Sequence, residues 1–401
     1  MKTFKSLVDL QKAIILTIVS VCIITSCSEE SAPQSPVLIT SISPLSGPKT
    51  TIVTIIGSGF SANTSENVVK LNDLACPILS ATTTELKVTI PAKAGSGKLA
   101  VTVTGLTGET PKFTYIYSQA TVTTLAGSTA GDGDKFNSPR GVAIDKDGNV
   151  YVSDISNYKI KKITPSGVVS TFAGSTQGDG DKFNYPEGVA VDEDGNVYVA
   201  DVHNHKIKKI TPSGVVSTFA GSAMGDGEKF DRPSAVALDK DGNIYVADYG
   251  NHKIKKITPS GVVSTLAGST AGDGEKFFGP TGIALDKEGN VYVADLFNCK
   301  IKKVTPTGIV TTIAGSSGGD GEKFLNPSGV AVDQDGNVYV ADWQNHKIKK
   351  ITPSGVVSTV AGSALGDDDK FNSPWAVAID KDNTLYVTDE QNNKIKKVAQ
   401  E

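Results

Sequence analysis

The sequence predicts an all-β chain in which a small sandwich precedes a ring of six four-stranded units. Three observations predict it. A unit of 47 residues recurs six times from Thr121 to the C-terminus, with its apolar anchor at Leu125, Phe172, Phe219, Leu266, Ile313 and Val360. Each unit reads as four short strands, and a four-stranded unit cannot bury both of its faces alone, so several must stack around an axis. Ahead of the repeats, residues 37–117 alternate Thr, Val and Ile in short runs broken by Gly, Pro, Asn and Ser.

The N-terminus reads as an export signal rather than as part of the fold. Lys2, Lys5 and Lys12 precede an apolar run from Ala13 to Ile24. A run of about a dozen residues is too short to span a bilayer but suits a signal-peptide core. Ile24-Thr25-Ser26-Cys27 resembles a bacterial lipobox, which implies a signal peptide over residues 1–26 and lipidation of Cys27. A plain secretory signal with an incidental Cys is the alternative. Ser28-Glu29-Glu30 looks like the surface-export signal of some Gram-negative lipoproteins, or a solvated stalk. The expectation is a lipid-anchored protein of the outer membrane, exposed at the cell surface, since several acyl chains anchor stably where one does not.

Residues 27–36 then form a polar linker. In the following segment, Ile52–Ile56, Leu86–Ile90 and Leu99–Val103 are the clearest strands, and about eighty such residues suit an immunoglobulin-like sandwich. Ile42-Ser43-Pro44 with Gly47, Gly57-Ser58-Gly59-Phe60, Gly97 and the closing Phe113-Thr114-Tyr115 resemble the IPT/TIG domain family. In extracellular bacterial proteins that resemblance implies a spacer or an adhesion module.

The first repeat shows the local logic. Its strands are Val142–Asp145, Val150–Ser153, Lys159–Ile163 and Val168–Phe172. Gly141, Ala143 and Asp145 alternate with Val142 and Ile144, giving one small and one bulky face that let neighbouring units pack near a crowded axis. Asp147-Gly148-Asn149 and Pro165-Ser166-Gly167 are tight turns. The second copy runs Phe183-Asn184-Tyr185-Pro186-Glu187-Gly188-Val189-Ala190-Val191-Asp192, then Gly195-Asn196-Val197-Tyr198-Val199-Ala200-Asp201, then Asn204-His205-Lys206-Ile207. This motif resembles the NHL repeat family, over Val122 to Val398. The resemblance implies a six-bladed β-propeller spanning residues 121–401.

Closure is legible from the ends. Val122–Ala126 is a fourth strand with no first three before it, and the last copy stops after its third strand, Lys394–Val398. The N-terminal strand is therefore expected to complete the sixth blade and leave no open edge.

The bulk numbers narrow the function classes. With 43 Asp+Glu against 39 Lys+Arg, the chain lacks the basic face a nucleic-acid partner needs. Four cysteines, Cys22, Cys27, Cys76 and Cys299, are too few and too scattered for a disulfide framework. Asp154 and its five equivalents end each second strand, where a carboxylate accepts backbone N–H groups from the following turn. The Asp145-Lys146-Asp147-Gly148-Asn149 loop lacks the distal Glu of an EF-hand and reads as a hairpin. The Lys-Ile-Lys-Lys strands read as solvated basic rungs. His205, His252 and His346 occupy one repeat position on separate blades and read as turn residues. Some NHL propellers are amidating lyases with zinc held by His near the channel, but the first strands here contain no His, and no Gly-x-Ser-x-Gly element is present. No catalytic residue, metal or cofactor is assigned.

The informative positions are those where the copies differ. One follows the Pro that leads into the first strand: Arg140, Glu187, Ser234, Thr281, Ser328 and Trp375. The other is the pair after the second-strand Asp: Ile155-Ser156, Val202-His203, Tyr249-Gly250, Leu296-Phe297, Trp343-Gln344 and Glu390-Gln391. Strands alternate in direction, so both sets fall on one end of the ring, while the turns that barely vary fall on the other. Trp343 and Trp375 are expected to offer an exposed stacking platform, extended by Tyr249 and Phe297, with Arg140, Glu187, His203 and Gln344 giving polar selectivity. The expected function is non-enzymatic recognition of an extracellular glycan or protein. The alternatives are a six-bladed hydrolase or lyase, or a structural role in envelope assembly.

Overall fold

The computed structural model describes residues 36–400, apart from residue 93, residues 116–119 and short stretches in loops of the repeats (129–130, 132, 223–224, 226–228, 270, 273, 275, 316–322, 363–365 and 367–369). The predicted signal peptide, Cys27 and most of the linker lie outside the described residues. The chain divides into two compact units, Met1–Ile116 and Tyr117–Glu401.

The first unit is a two-sheet sandwich. One sheet orders Leu38–Ser43, Ile52–Ser58, Glu85–Thr89 and Ile78–Ala81; the other orders Ser46–Gly47, Leu106–Tyr115, Gly97–Val103, Asn67–Leu71 and Leu74–Ala75. Alternation along the strands turns Val53, Ile55, Leu86 and Val88 inward against Leu71, Leu99, Val101 and Phe113, all fully buried. Cys76 is buried and free, as is the half-buried Cys299.

The second unit is a six-bladed β-propeller of four-stranded antiparallel sheets. Blade 1 orders Pro139–Ile144, Val150–Asp154, Lys159–Ile163 and Val169–Ala173, and blades 2 to 5 repeat that order from Pro186, Pro233, Pro280 and Pro327. In blade 6 the strands Pro374–Ile379, Leu385–Asp389 and Lys394–Ala399 are completed by Thr121–Ala126, which pairs with the last of them from Thr121↔Ala399 to Ala126↔Ile395. The ring is closed as its two ends foretold, and the chain joins it at the end carrying the Asp-Gly-Asn and Pro-Ser-Gly turns.

Each hydrophobic core lies between neighbouring blades. Ile160, Tyr151 and Phe183 meet Val189, Val197 and Val199 across the first junction, and equivalent clusters fill the other five. The innermost strands approach one another so closely that a Cβ on Gly141 would stand 2.1 Å from the Glu187 carbonyl oxygen. Gly or Ala therefore recurs at this position, as Gly188, Ala235, Gly282, Gly329 and Ala376.

The Lys-Ile-Lys-Lys strands depart from the solvated reading. Lys161, Lys208, Lys255, Lys302, Lys349 and Lys396 are fully buried. Lys161 Nζ lies 2.7 Å from Asp154 Oδ2 and 5.0 Å from the centroid of the buried Phe136 ring. Five further blades repeat this pair at 2.7–2.9 Å. The reason is register: the second-strand Asp and third-strand Lys face the same side, and the loop entering each blade folds its Lys-Phe over them. The Asp carboxylates are structural, but their partners differ from the expected ones. Asp154 Oδ1 accepts the Asn137 N–H, on the segment before the blade, and Oδ2 accepts from the Asn157 side chain.

The repeated histidines join blades. His205, His252 and His346 adopt left-handed turns, and their Nδ1 atoms accept the N–H groups of Arg232, Gly279 and Ser373 on the next blade at 3.0–3.2 Å. Asn393 does the same for Ser138 through its side-chain oxygen.

Candidate ligand-binding site

Every innermost strand begins with the same irregularity. In blade 1 the register runs Pro139↔Asp154 and resumes only at Val142↔Val152, a β-bulge at Arg140 and Gly141. All six blades carry it. A bulge re-aims one side chain out of the ladder, and here that side chain is the residue after Pro, the first of the two variable sets.

Five of the six bulge residues, Arg140, Glu187, Ser234, Thr281 and Trp375, line one cavity of about 220 Å³. From the second variable set come Val202, His203, Tyr249 and Leu296; Tyr185 and Arg232 complete the wall. Two sequence-distant sets of positions thus converge on one mouth of the ring.

One side of the mouth is filled by a polar stack. Arg140 Nε donates to Glu390 Oε1 at 2.9 Å and Nη1 to Glu187 Oε2 at 3.4 Å. Trp375 Nε1 donates to Glu187 Oε1 at 3.1 Å, and the Arg140 guanidinium lies 3.9 Å over the Trp375 ring. Burial alone would lower the Arg140 pKa, but the two carboxylates outweigh it and raise it, so the cation is fixed. Burial pushes Glu187 above the ordinary carboxyl range, against the pull of Arg140 and with the repulsion of Glu390. On the other side the residues are small. The hydroxyl of Ser234 donates to the Pro280 carbonyl at 3.0 Å, and that of Ser328 to the Trp375 carbonyl at 2.6 Å. Both are engaged with the next blade, and the cavity opens beside Ser234 and Thr281.

Partial desolvation lowers the His203 pKa, helped by His205 and Arg232, which favours the neutral imidazole. The His203 ring packs on Tyr185 at a centroid distance of 4.4 Å. Around the lip, Tyr249, Phe297 and Phe278 form a chain of rings with centroids 6.2 and 5.0 Å apart, and Phe297 and Phe278 are 46% and 42% exposed.

The structure brings Arg140, Glu187, His203, Tyr249 and Trp375 together and sets Phe297 on the lip beside them. The two indoles meet edge to face at 5.2 Å, on one end of the ring as expected. They are not an exposed platform, however. Trp375 is 8% exposed, capped by Arg140, and Trp343 lies half-buried behind it. The bulge turns Trp375 inward to span from blade 6 to the Glu187 of blade 2. Gln344 is exposed on the rim, outside the cavity wall. Arg232 was missed, although the position before the Pro also varies among the copies and offered the signal: Ser138, Tyr185, Arg232, Gly279, Asn326 and Ser373.

These features define a six-bladed propeller with an individualised mouth, carried on a chain that begins with a small sandwich. More narrowly, residues 36–115 match the IPT/TIG domain, and residues 136–163, 183–210, 230–257, 324–351 and 371–398 match the NHL repeat. The chain carries an IPT/TIG domain followed by an NHL-repeat propeller; blade 4 lies outside the matched segments but has the same four strands. No curated protein matches the sequence. Among solved structures, a protein of unknown function from Bacteroides thetaiotaomicron is similar with a TM-score of 0.58 at 22% identity, over 92% of this chain and 99% of that one. An auxiliary nutrient binding protein from the same organism is similar with a TM-score of 0.56 at 17% identity, over 92% and 98% of the two chains. A gluconolactonase from Xanthomonas campestris matches 70% of this chain and 90% of its own, with a TM-score of 0.55 and 16% identity. At such identities the likeness is one of fold.

Proposed function

We propose that this protein is a non-enzymatic binding lipoprotein, tethered outside the cell by acyl chains on Cys27, that recognises a glycan or protein through the variable mouth of its propeller. The observation that carries this reading is the convergence of five bulge residues and four residues of the second variable set on one cavity, while the turns of the opposite end stay alike. Drift among solvent positions has no reason to gather in one concave, aromatic-lined place. The chemistry of the wall favours holding over reacting. Glu187 is committed to Arg140 and Trp375, and the Ser234 and Ser328 hydroxyls donate to backbone carbonyls rather than to a base. The similar fold of an auxiliary nutrient binding protein accords with this; the similar fold of a gluconolactonase supplies the competing reading, a hydrolase or lyase.

The test is a binding screen of the chain from Ser28 onward against carbohydrates and envelope proteins, repeated with His203→Ala and Tyr249→Ala. Both variants are expected to weaken binding at least tenfold, whereas Val262→Ser at the opposite end leaves it unchanged. Equal affinity of all four proteins removes the mouth as the site, and turnover of a lactone or glycoside substrate would favour the enzyme. Cys27→Ala is expected to release the protein from the membrane fraction; a wild-type protein already found in the soluble fraction contradicts the anchor.

A further inference from the structure

Three properties of the mouth narrow the ligand. The first is size. A cavity of 150 Å³ suffices to enclose benzene, so about 220 Å³ accommodates one substituted six-membered ring and not two. The walls come from five of the six blades, so a polymer reaches the space by its end and not by threading an internal segment through it.

The second is charge. Arg140 is neutralised by Glu187 and Glu390, and the half-exposed Arg232 has Asp231 Oδ1 at 3.3 Å from its Nε. Partial desolvation, with His205 and Arg232 beside it, biases the exposed His203 ring towards its neutral form. Two cations thus face three carboxylates, so the wall holds each guanidinium against a carboxylate and offers an anionic ligand no uncompensated positive charge. What remains is a dense set of donors and acceptors, which suits a ligand with many hydroxyl groups and no charge.

The third is the lip. Tyr249, Phe297 and Phe278 form a partly exposed run of rings beside the opening. Flat aromatic faces pair with the C–H faces of sugar rings, which present apolar area with polar edges.

We infer that the cavity seats a single neutral sugar residue at the terminus of a glycan, and that the lip stacks on the next one or two residues. This rests on the reading of the mouth as a binding site, and it adds that the protein recognises chain ends rather than chain interiors. The wall and the lip then act on different parts of the ligand. Arg140, Glu187 and His203 select the terminal residue, and Phe297 and Phe278 hold the chain leading to it.

The experiment is a defined glycan array carrying neutral and uronate-terminated oligosaccharides, followed by calorimetric titration of a length ladder of the best-binding series. The expected result is one protein per chain at every length, with affinity rising over roughly the first three residues and then flat. Modifying the terminal residue should weaken binding at least tenfold, and Phe297→Ala should matter for a trisaccharide but not for the monosaccharide. His203→Ala should abolish both while thermal melting confirms that the variant is folded. Stoichiometry that grows with chain length overturns end-on recognition and leaves the mouth a binding site. Preference for uronate-terminated probes overturns the neutral ligand. If no carbohydrate binds but an envelope protein does, and His203→Ala abolishes that contact, the glycan inference fails while the binding function stands.

Discussion

Replacing Lys255 by Met isolates what a buried ion pair contributes in this ring. Lys255 Nζ lies 2.7 Å from Asp248 Oδ2, and both side chains are fully buried. At an effective dielectric of about 20, unit charges at that distance attract by roughly 6 kcal/mol, while desolvation costs several kcal/mol for each ion. The intact pair therefore contributes little net stability. Removing one partner is another matter. Asp248 would keep the Asp231 N–H at 2.8 Å and the Asn251 side chain at 2.7 Å, but as an uncompensated buried anion. Such a loss costs about 3–5 kcal/mol, equivalent to roughly 6–20 °C in melting temperature for a domain of this scale. Calorimetry of the chain from Ser28 onward measures it. The double variant Asp248→Asn/Lys255→Met should lose roughly 1–3 kcal/mol less than the two single losses added together. A Lys255→Met protein melting within about 2 °C of wild type would refute the argument.

Three further outcomes follow from the fold. Gly141→Ala forces a Cβ to within 2.1 Å of the Glu187 carbonyl oxygen and should cost about 1–3 kcal/mol by overpacking, read as a lower denaturation midpoint with unchanged slope. Deleting residues 121–126 removes the outer strand of blade 6 and its ladder with Lys394–Ala399; the product should melt well below the intact chain and be cut early by protease, and an unchanged melt would contradict the closure. Burial opposes ionisation of Asp179, but hydrogen bonds from Lys206, the Gly180 N–H and Lys208 outweigh it and hold its pKa at about 2. A lowered carboxyl pKa stabilises the folded state above its unfolded value and ceases to do so as pH falls through the folded one, so an NMR titration should show Asp179 ionised at pH 3 and Lys206→Ala should raise its midpoint.

The repeat made much of this architecture readable in advance. A period of 47 residues, a fourth strand without a blade before it and a last blade without a fourth strand together specify a closed ring. The variable mouth was readable too, because strand direction alone places Arg140 and Val202-His203 on one end. What was hidden depends on contacts between elements far apart in sequence. Lys161 looks like its half-buried neighbour Lys162 until Phe136 and the Lys135 carbonyl fold over it. Trp375 reads as a surface aromatic because nothing local reveals the bulge, nor that Glu187, 188 residues away, awaits its indole N–H. Side-chain alternation predicts which face a residue takes in a regular strand; it fails at a bulge, where the period of two is broken.

The joining of the chain to the ring at Thr121 has a mechanical consequence. A pull on Thr121 directed along the strand Thr121–Ala126 would run across its hydrogen bonds to Lys394–Ala399. The load is shear, shared by the whole ladder, rather than peeling that breaks one bond at a time. It would enter at the end of blade 6 opposite the bulge at Trp375, so a load on this first strand falls on the bonds that close the ring.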